Sequence, residues 1–200
     1  VETERISLND ISLWSGEPYD PLHDSLAAEE GLAKVREALS REDYRAADTL
    51  ALRLQGPNSN RYMPMGNVRI DLHSDAAASD YLRTLDIRRG VAMVEYNAGG
   101  VRYARETFVS HPDGVVVMKF SADGGKALNM DLSFDTPLRF RTNADGRCLL
   151  ASGYAPYDKD YSYDPERGTR FAVRMRICRT DGEVSYTDTS AVLRNASEAV

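Results

Sequence analysis

The segment from Ser152 to Gly168 concentrates residue types that contact sugars or protein partners. Its tyrosines offer aromatic faces, and its aspartates and glutamate offer acceptors for hydroxyl hydrogen bonds. The alternative is a long polar hairpin loop without a binding role, since loops of this length are usually either functional or disordered. The candidate contact residues are Tyr154, Tyr157 and Tyr161, with Tyr163 beside them.

The only tryptophan of the sequence, Trp14, follows two apolar residues near the start of the chain. Burial of the large indole ring is its commoner use, so an anchor in the core or at a domain interface is one interpretation. A platform for a sugar ring is the other. Residue type alone leaves both open.

Paired carboxylates could serve as the acid and base of a glycosidase, but no pair here stands on a recognisable scaffold. Most Asp and Glu residues fall at outward strand positions or in turns, where such side chains are usually solvated. The histidines, His23, His73 and His111, are scattered, with no HxH or HExxH motif and no carboxylate partner at ligand spacing in the sequence. The motifs GxSxG, GxxxxGK and GxGxxG do not occur. We therefore predict no catalytic residue, no metal site and no cofactor.

Composition indicates an ordinary globular protein. The 200 residues suffice for one domain with a substantial core, and 31 acidic against 25 basic residues give a net charge of -6. This balance argues against a nucleic-acid partner, because such proteins carry a basic face. No run reaches the roughly 18 apolar residues that a membrane helix needs. The opening VETERISLND also lacks the pattern of a signal peptide.

Cys148 and Cys178 form no CxxC pair and match no zinc motif. Each falls in a predicted strand. We expect two buried thiols, with a cross-strand disulfide as the alternative.

The stretch from Tyr81 to Ala122 predicts the centre of the fold. Apolar and polar residues alternate from Val91 to Asn97 and again from Val101 to Ser110, with a turn predicted at Gly99-Gly100 and another at His111 to Gly114. This pattern is typical of antiparallel hairpins with one covered face. The same rhythm in MGNVRIDL, KALNMDLSF, PLRFRT, RCLLAS, TRFAVRMRICR, EVSYTD and AVLRNA predicts a large antiparallel β-sandwich.

A short two-helix insert is predicted at about 25–55. Asp24 or Ser25 could cap the first helix, whose apolar stripe includes Leu32, Val35 and Leu39. Ser40, with Asp43 three residues later, resembles a capping box for the second helix. That helix is expected to end at Gly56-Pro57.

The run ERISLNDISLWSG resembles the opening of the family 95 glycoside hydrolases, the α-L-fucosidases, with Asp10 in place of their usual glutamate. The resemblance continues in VREALSREDYRAAD and in RYMPMGNVRIDL, where Met65 and Asn67 depart from the family pattern. It is most extensive from Tyr81 to Ala122, in the run YLRTLDIRRGVAMVEYNAGGVRYARETFVSHPDGVVVMKFSA. Several linked motifs in one order carry this resemblance over most of residues 4–122.

The resemblance implies a single N-terminal β-sandwich domain over residues 1–200, cut short at its C-terminal end. The parent enzyme would be periplasmic or secreted and would release terminal fucose from glycans, or act on α-L-galactosides. Its partner would be a C-terminal (α/α)6 catalytic domain, which holds the acid and base of an inverting mechanism. This chain alone would be inactive. The LWSG turn, with Asn9, Trp14 and Ser15, would contact substrate or that domain.

Three functions of different class follow. The chain is an accessory sandwich of a fucosidase, an autonomous carbohydrate-binding module, or a structural domain whose exposed apolar face covers its catalytic partner. Only the last predicts a large apolar patch and self-association of the isolated chain.

Overall fold

The computed structural model describes residues 2–17, 25–54, 60–74, 76–158 and 160–200. Contacts divide the chain into two compact units. The first comprises Val1–Leu13, Pro64–Tyr154 and Arg170–Val200, and the second comprises Trp14–Met63 and Ala155–Thr169. The expectation of one domain over 1–200 stays a prediction.

The helices of the second unit lie where the sequence predicts them. They are α1 (Ser25–Ser40), α2 (Tyr44–Ala51) and a 3-10 turn at Leu52–Leu54. The N-cap of α2 is Asp43, whose carboxylate accepts from the Ala46 backbone N–H at 3.0 Å. The prediction of Ser40 as the cap was wrong, because Ser40 ends α1 and donates to the Glu37 carbonyl. The expected cap Asp24 and the expected end at Gly56-Pro57 lie outside the described residues.

The two helices share a small core of Val35, Ala38 and Ala47. The predicted stripe was partly wrong, since Leu32 and Leu39 are exposed. Ala38 follows Val35 by three residues and faces the same partner, so a small residue replaces the expected leucine at the contact.

Strands make up the first unit. Their bounds are β1 Thr3–Leu8, β2 Gly66–Leu72, β3 Ala78–Asp86, β4 Val91–Ala98, β5 Val101–Ser110, β6 Val115–Asp123, β7 Leu128–Asp135, β8 Arg139–Ala144, β9 Leu149–Tyr154, β10 Arg170–Met175, β11 Glu183–Tyr186, β12 Ala191–Ala196 and β13 Glu198–Ala199. The predicted hairpin turns at Gly99-Gly100 and His111–Gly114 are confirmed between β4, β5 and β6.

These strands form three antiparallel sheets, in the orders β1-β2-β7-β12-β11, β10-β9-β8 and β13-β6-β5-β4-β3. The third sheet contains the predicted meander. The predicted fold class, a mainly β antiparallel sandwich with a short helical insert near the N-terminus, is confirmed.

The principal core joins the two five-stranded sheets. Ile70, Met130 and Leu193 from the first sheet lie in one buried cluster with Phe120 and Ala122 from β6. Alternation along the strands accounts for this, since these residues occupy inward positions of their strands.

Phe134 of β7, in the first sheet, contacts two aromatic rings of the three-stranded sheet. Its ring meets Phe140 of β8 edge-on at 5.8 Å and Phe171 of β10 at 6.4 Å between centroids. Aromatic pairs at these separations add to the free energy gained by burial.

The inner face of the third sheet is not covered along its whole length. Leu85 and Val109 share the face that carries the buried Val94 and Phe120, by strand alternation and cross-strand register. Leu85 nevertheless has 66% and Val109 70% of its surface exposed. Val116, the cross-strand partner of Val109, is also exposed. One end of this face is therefore open.

Both cysteines are free; the prediction of a buried thiol was wrong for Cys178, and the prediction of a strand position was wrong for both. Cys148 is buried and its thiol lies 2.9 Å from the Asp145 carbonyl, whereas Cys178 is exposed. Cys148 immediately precedes β9 and Cys178 follows the end of β10, so neither lies in a strand.

Within the described ranges, no helix has the length and hydropathy that a bilayer span requires.

Candidate functional site

The structure places four of the six predicted contact residues in the second unit. These are Trp14, Ser15, Tyr157 and Tyr161, whereas Asn9 and Tyr154 belong to the first unit. Asn9 is exposed just after β1. Tyr154 ends β9, between its cross-strand partners Arg139 and Arg170.

A short strand-like bridge holds the LWSG turn. Trp14 pairs with Tyr62, and the Ser15 N–H donates to the Arg61 carbonyl at 2.8 Å. The Arg61 N–H in turn donates to the Ser15 hydroxyl oxygen at 2.9 Å. Ser15 is buried, so its hydroxyl fixes the backbone of the neighbouring segment.

Gly16 turns the chain from this bridge towards the tyrosine-rich segment. Its φ of +93° is a conformation that favours glycine, and its N–H donates to the Pro156 carbonyl at 2.8 Å. A Cβ at this position would lie 2.1 Å from Nδ2 of Asn60. Three stretches of the second unit, around residues 14–16, 60–62 and 156, therefore meet at this glycine.

The bridge presents two aromatic rings to solvent. Trp14 has 42% and Tyr62 44% of its surface exposed, and the rings meet edge-on with centroids 5.5 Å apart. Arg61, next to Tyr62 in the chain, lies over the ring of Tyr161 at 4.8 Å from its centroid. Tyr161 is itself 49% exposed. We call Trp14, Tyr62, Tyr161 and Arg61 the aromatic cluster.

The aromatic cluster has the chemistry of a contact surface. Exposed indole and phenol rings stack on apolar C–H faces, their polar atoms bond hydroxyls, and a guanidinium donates up to five hydrogen bonds. These properties suit a sugar, and they equally suit a protein surface, where Trp, Tyr and Arg predominate among strongly contributing residues.

Tyr157 belongs to a neighbouring group in the same unit. The Arg167 guanidinium lies 3.8 Å from the centroid of the Tyr157 ring. Both its Nε and a terminal nitrogen bond the Glu17 carboxylate, with Nε donating at 2.8 Å. The hydrogen bonds from Arg167 hold the pKa of Glu17 below its usual value. Tyr157 is thereby fixed in place by its stacked cation.

Carboxylates shape the tyrosine-rich segment. Asp158 accepts from the backbone N–H groups of Asp160 and Ser162, each at 2.9 Å, and the bonds from Ser162 lower its pKa. Asp164 accepts from the Glu166 N–H at 2.8 Å. These acids build turns, which is the common structural use of aspartate in loops.

Two contact residues, Arg61 and Tyr62, were missed by the sequence analysis. They lie in the run RYMP, and the available signal was an arginine beside an aromatic residue before a proline. What brings them to Trp14 is a pairing across 48 positions of sequence, which spacing does not reveal.

One histidine has a carboxylate partner that lies far from it in the sequence. His73 Nε2 lies 3.1 Å from Asp131 Oδ2, at the end of the β2–β7 pair. Arg194 bonds the same carboxylate at 2.7 Å and is the main cause of its lowered pKa. Among the described residues, no group of three or more His, Cys, Asp and Glu side chains could hold a metal ion.

Comparison with known proteins shows similarity to fucosidases of two organisms. The chain is 29% identical over 199 residues to alpha-L-fucosidase 2 of Arabidopsis thaliana, covering 91% of this chain and 23% of that protein. It is 27% identical over 127 residues to the probable alpha-fucosidase A of Aspergillus niger, covering 61% of this chain and 16% of that protein. The chain thus spans less than a quarter of the length of these relatives.

A family model described as "Glycosyl hydrolase family 65, N-terminal domain" matches residues 1–200. This match covers both units and all thirteen strands. The chain therefore belongs to the N-terminal domain family of glycosyl hydrolase family 65, and is a glycoside hydrolase N-terminal domain.

Proposed function

We propose that this chain is the non-catalytic N-terminal domain of an inverting α-L-fucosidase of family 95, which releases terminal fucose from glycans. Likeness to an alpha-L-fucosidase along 91% of the chain supports the parent activity. The observation that carries the non-catalytic contact role is the exposed aromatic cluster around Trp14 and Tyr62. Among the described carboxylates of the second unit, Glu17 forms an ion pair and Asp158 and Asp164 accept hydrogen bonds within turns.

The partner that we propose is a C-terminal (α/α)6 catalytic domain of the same polypeptide. Trp14 and Tyr161 would reach that domain and the glycan bound to it. Tyr157 and Ser15 would keep the cluster in position, through Arg167 and through the backbone of Arg61. We place the full-length enzyme in the periplasm or outside the cell.

Turnover of an aryl α-L-fucoside tests the division of labour. The 200-residue chain should release no aryl alcohol, whereas the full-length enzyme should, with the β-anomer of fucose as its first product. Activity of the isolated chain would contradict a non-catalytic role. If the full-length enzyme prefers the aryl α-L-galactoside, its substrate is an α-L-galactoside instead of an α-L-fucoside.

Trp14→Ala in the full-length enzyme tests the contact role. If the indole contacts the glycan, the Michaelis constant should rise about tenfold, which corresponds to roughly 1.4 kcal/mol of lost contact. Tyr44→Ala is the matched control, because Tyr44 is an exposed aromatic residue on α2 in the same unit. Lower stability with an unchanged Michaelis constant would assign Trp14 to domain packing.

An autonomous carbohydrate-binding module is the second candidate, and the exposure of Trp14, Tyr62 and Tyr161 favours it. Calorimetric titration of the isolated chain with fucosylated glycans separates the two. Heat of binding that disappears in a Trp14→Ala, Tyr161→Ala variant would support the module. Absence of heat at millimolar glycan would contradict the module and favour the accessory-domain role.

A further inference from the structure

We propose that a cleft on the outer face of the third sheet, in the first unit, binds a single sugar ring. The site goes beyond the proposed function, and only the choice of a sugar as ligand class rests on it. The cleft has a volume of about 280 Å³ and six lining residues: Asp80, Leu82, Glu95, Tyr96, Asn97 and Arg102.

A β-bulge in the edge strand creates the cleft. The pairing of β3 with β4 shifts register between Ser79 and Leu82, and Asp80 adopts a φ of +52°. Aspartate tolerates this left-handed conformation better than most residues. Bulges at sheet edges redirect side chains, and here the bulge directs Asp80 over β4. There it accepts from Nδ2 of Asn97 at 2.9 Å.

The other polar groups come from the regular alternation of β4 and β5. Glu95 and Asn97 are two residues apart, and Asn97 is the cross-strand partner of Arg102, so all three side chains share one face. Arg102 donates to Glu95 Oε1 at 2.6 Å. Three adjacent strands thus bring two carboxylates, one amide and one guanidinium to the same cleft.

This polar lining leaves capacity for a ligand. Ser79 and Asn97 both donate to Oδ2 of Asp80, so Oδ1 can accept from a ligand hydroxyl. These bonds lower the pKa of Asp80, with the bond from Asn97 the larger cause. Arg102 uses one terminal nitrogen towards Glu95, and a guanidinium carries five N–H donors.

A sugar fits this arrangement better than a charged ligand. Sugar hydroxyls both donate and accept, which matches carboxylates beside a guanidinium and an amide. Leu82, half exposed, supplies an apolar wall for the C–H face of a ring. Ligand pockets generally range from about 300 to 1,000 Å³. A cleft of about 280 Å³, just below this range, suits one ring instead of an oligosaccharide.

Titration of the ¹⁵N-labelled 200-residue chain with L-fucose, and separately with D-galactose and D-glucose, tests the inference. At least one sugar should shift the backbone signals of Asp80, Glu95 and Arg102 and the side-chain NH₂ signal of Asn97, in a saturable way. Asn97→Ala should weaken this binding at least tenfold. Thr84→Ala, on the same face of β3 but outside the lining, should leave it unchanged.

Two results would overturn the inference. The first is no saturable shift with any of the three sugars up to about 0.1 M, a concentration well above a millimolar dissociation constant. The second is equal sugar binding by an Asn97→Ala variant whose dispersed spectrum shows that it is folded. The same spectra read the aromatic cluster separately through the Trp14 indole N–H. Shifts at Trp14 without shifts at Asp80 would contradict sugar binding at the cleft and support the carbohydrate-binding module. Shifts at Asp80 alone would support the cleft and count against the module.

Discussion

Arg105 is a charged side chain on the inner face of a sheet, between Val94 and Phe120 as cross-strand neighbours. Only 7% of its surface is exposed, and its guanidinium bonds the Glu4 carboxylate at 2.6 Å. Burial raises the pKa of the nearby Tyr96, and Arg105 opposes that rise. A buried ion pair of this kind costs stability chiefly when one partner is removed.

Arg105→Ala should therefore lower the free energy of unfolding by about 3–5 kcal/mol, because Glu4 would be left without its partner. Arg105→Met should cost less, since a methionine fills the same space without the charge. Urea unfolding measures both. Arg69→Ala is the control from an exposed pair with Asp135 and should cost no more than about 1 kcal/mol. Equal losses in the two alanine variants would contradict the role of burial.

Asp181 governs an acid-sensitive contact at the start of β13. Its carboxylate accepts from the Ser197 hydroxyl at 2.7 Å and from the Ser197 and Glu198 N–H groups at 2.8 and 3.2 Å. These bonds, led by the Ser197 hydroxyl, lower its pKa from 3.8 to about 2. A carboxyl with a lowered folded-state pKa stabilises the fold only while ionised. This contribution is present above about pH 4 and is lost as the pH falls towards 2.

Asp181→Asn should accordingly be less stable than the native chain near neutral pH, and the difference should shrink as the pH falls through that window. Urea midpoints at about pH 6 and about pH 3 measure the effect. Asp188→Asn, at a carboxylate with a 3.3 Å bond from the Ala144 N–H, serves as the control. A difference between Asp181→Asn and native that does not change with pH would refute the assignment.

Among the elements, the turn at Gly16 positions the aromatic cluster and has no tolerance for a side chain. Gly16→Ala should cost roughly 1–2 kcal/mol through the positive φ, and should also displace Asn60. Hydrogen exchange should then accelerate at the Ser15 and Arg61 amides, whose bonds hold the bridge. Gly100→Ala is the control. Gly100 has a φ of +80°, but a Cβ there would meet open space, so hydrogen exchange at Ser15 should not change. Equal exchange rates at Ser15 and Arg61 in the two variants would show that Gly16 does not hold the bridge in position.

Elements were predictable to the extent that their pattern is local. The alternation in β4 and β5 indicated their positions, since apolar residues with a period of two are typical of a strand with one covered face. The cap of α2 was misassigned because Ser40 and Asp43 are both good caps, and only the chain path selects Asp43. The edge strand β3 is exposed at nearly every position, so burial does not mark its bulge at Asp80.

The candidate site was predictable only in part for the same reason. Aromatic residue type pointed to Trp14 and Tyr161, but the pairing of Trp14 with Tyr62 depends on contacts distant in sequence. Cys178 was wrongly predicted to be buried, because the alternating pattern of TRFAVRMRICR continues past Met175, where β10 ends. Long-range pairing is a property of the whole chain, and no single window of sequence contains it.

At the scale of the whole molecule, the open end of the third sheet presents apolar side chains to other molecules. Leu85, Val109 and Val116 are exposed on a face that also carries the buried Val94 and Phe120. Exposed apolar surface favours association. We expect the isolated chain to self-associate reversibly as its concentration rises.

Sedimentation velocity over a concentration series measures this tendency. A Leu85→Lys, Val109→Lys variant should remain monomeric at concentrations where the native chain associates. Ile11→Lys is the control, since Ile11 is a highly exposed apolar residue in the turn after β1. A native chain that stays monomeric throughout would remove support for an interaction role of this face.

The position of the single tryptophan has an optical consequence. Trp14 lies in the second unit beside Tyr62, whereas nearly all of the β-structure lies in the first unit. Indole emission therefore monitors the second unit alone, whereas far-ultraviolet dichroism reports the β-structure of the first unit together with the helices of the second. Two unfolding curves recorded on one sample would show directly whether the units melt together or in succession.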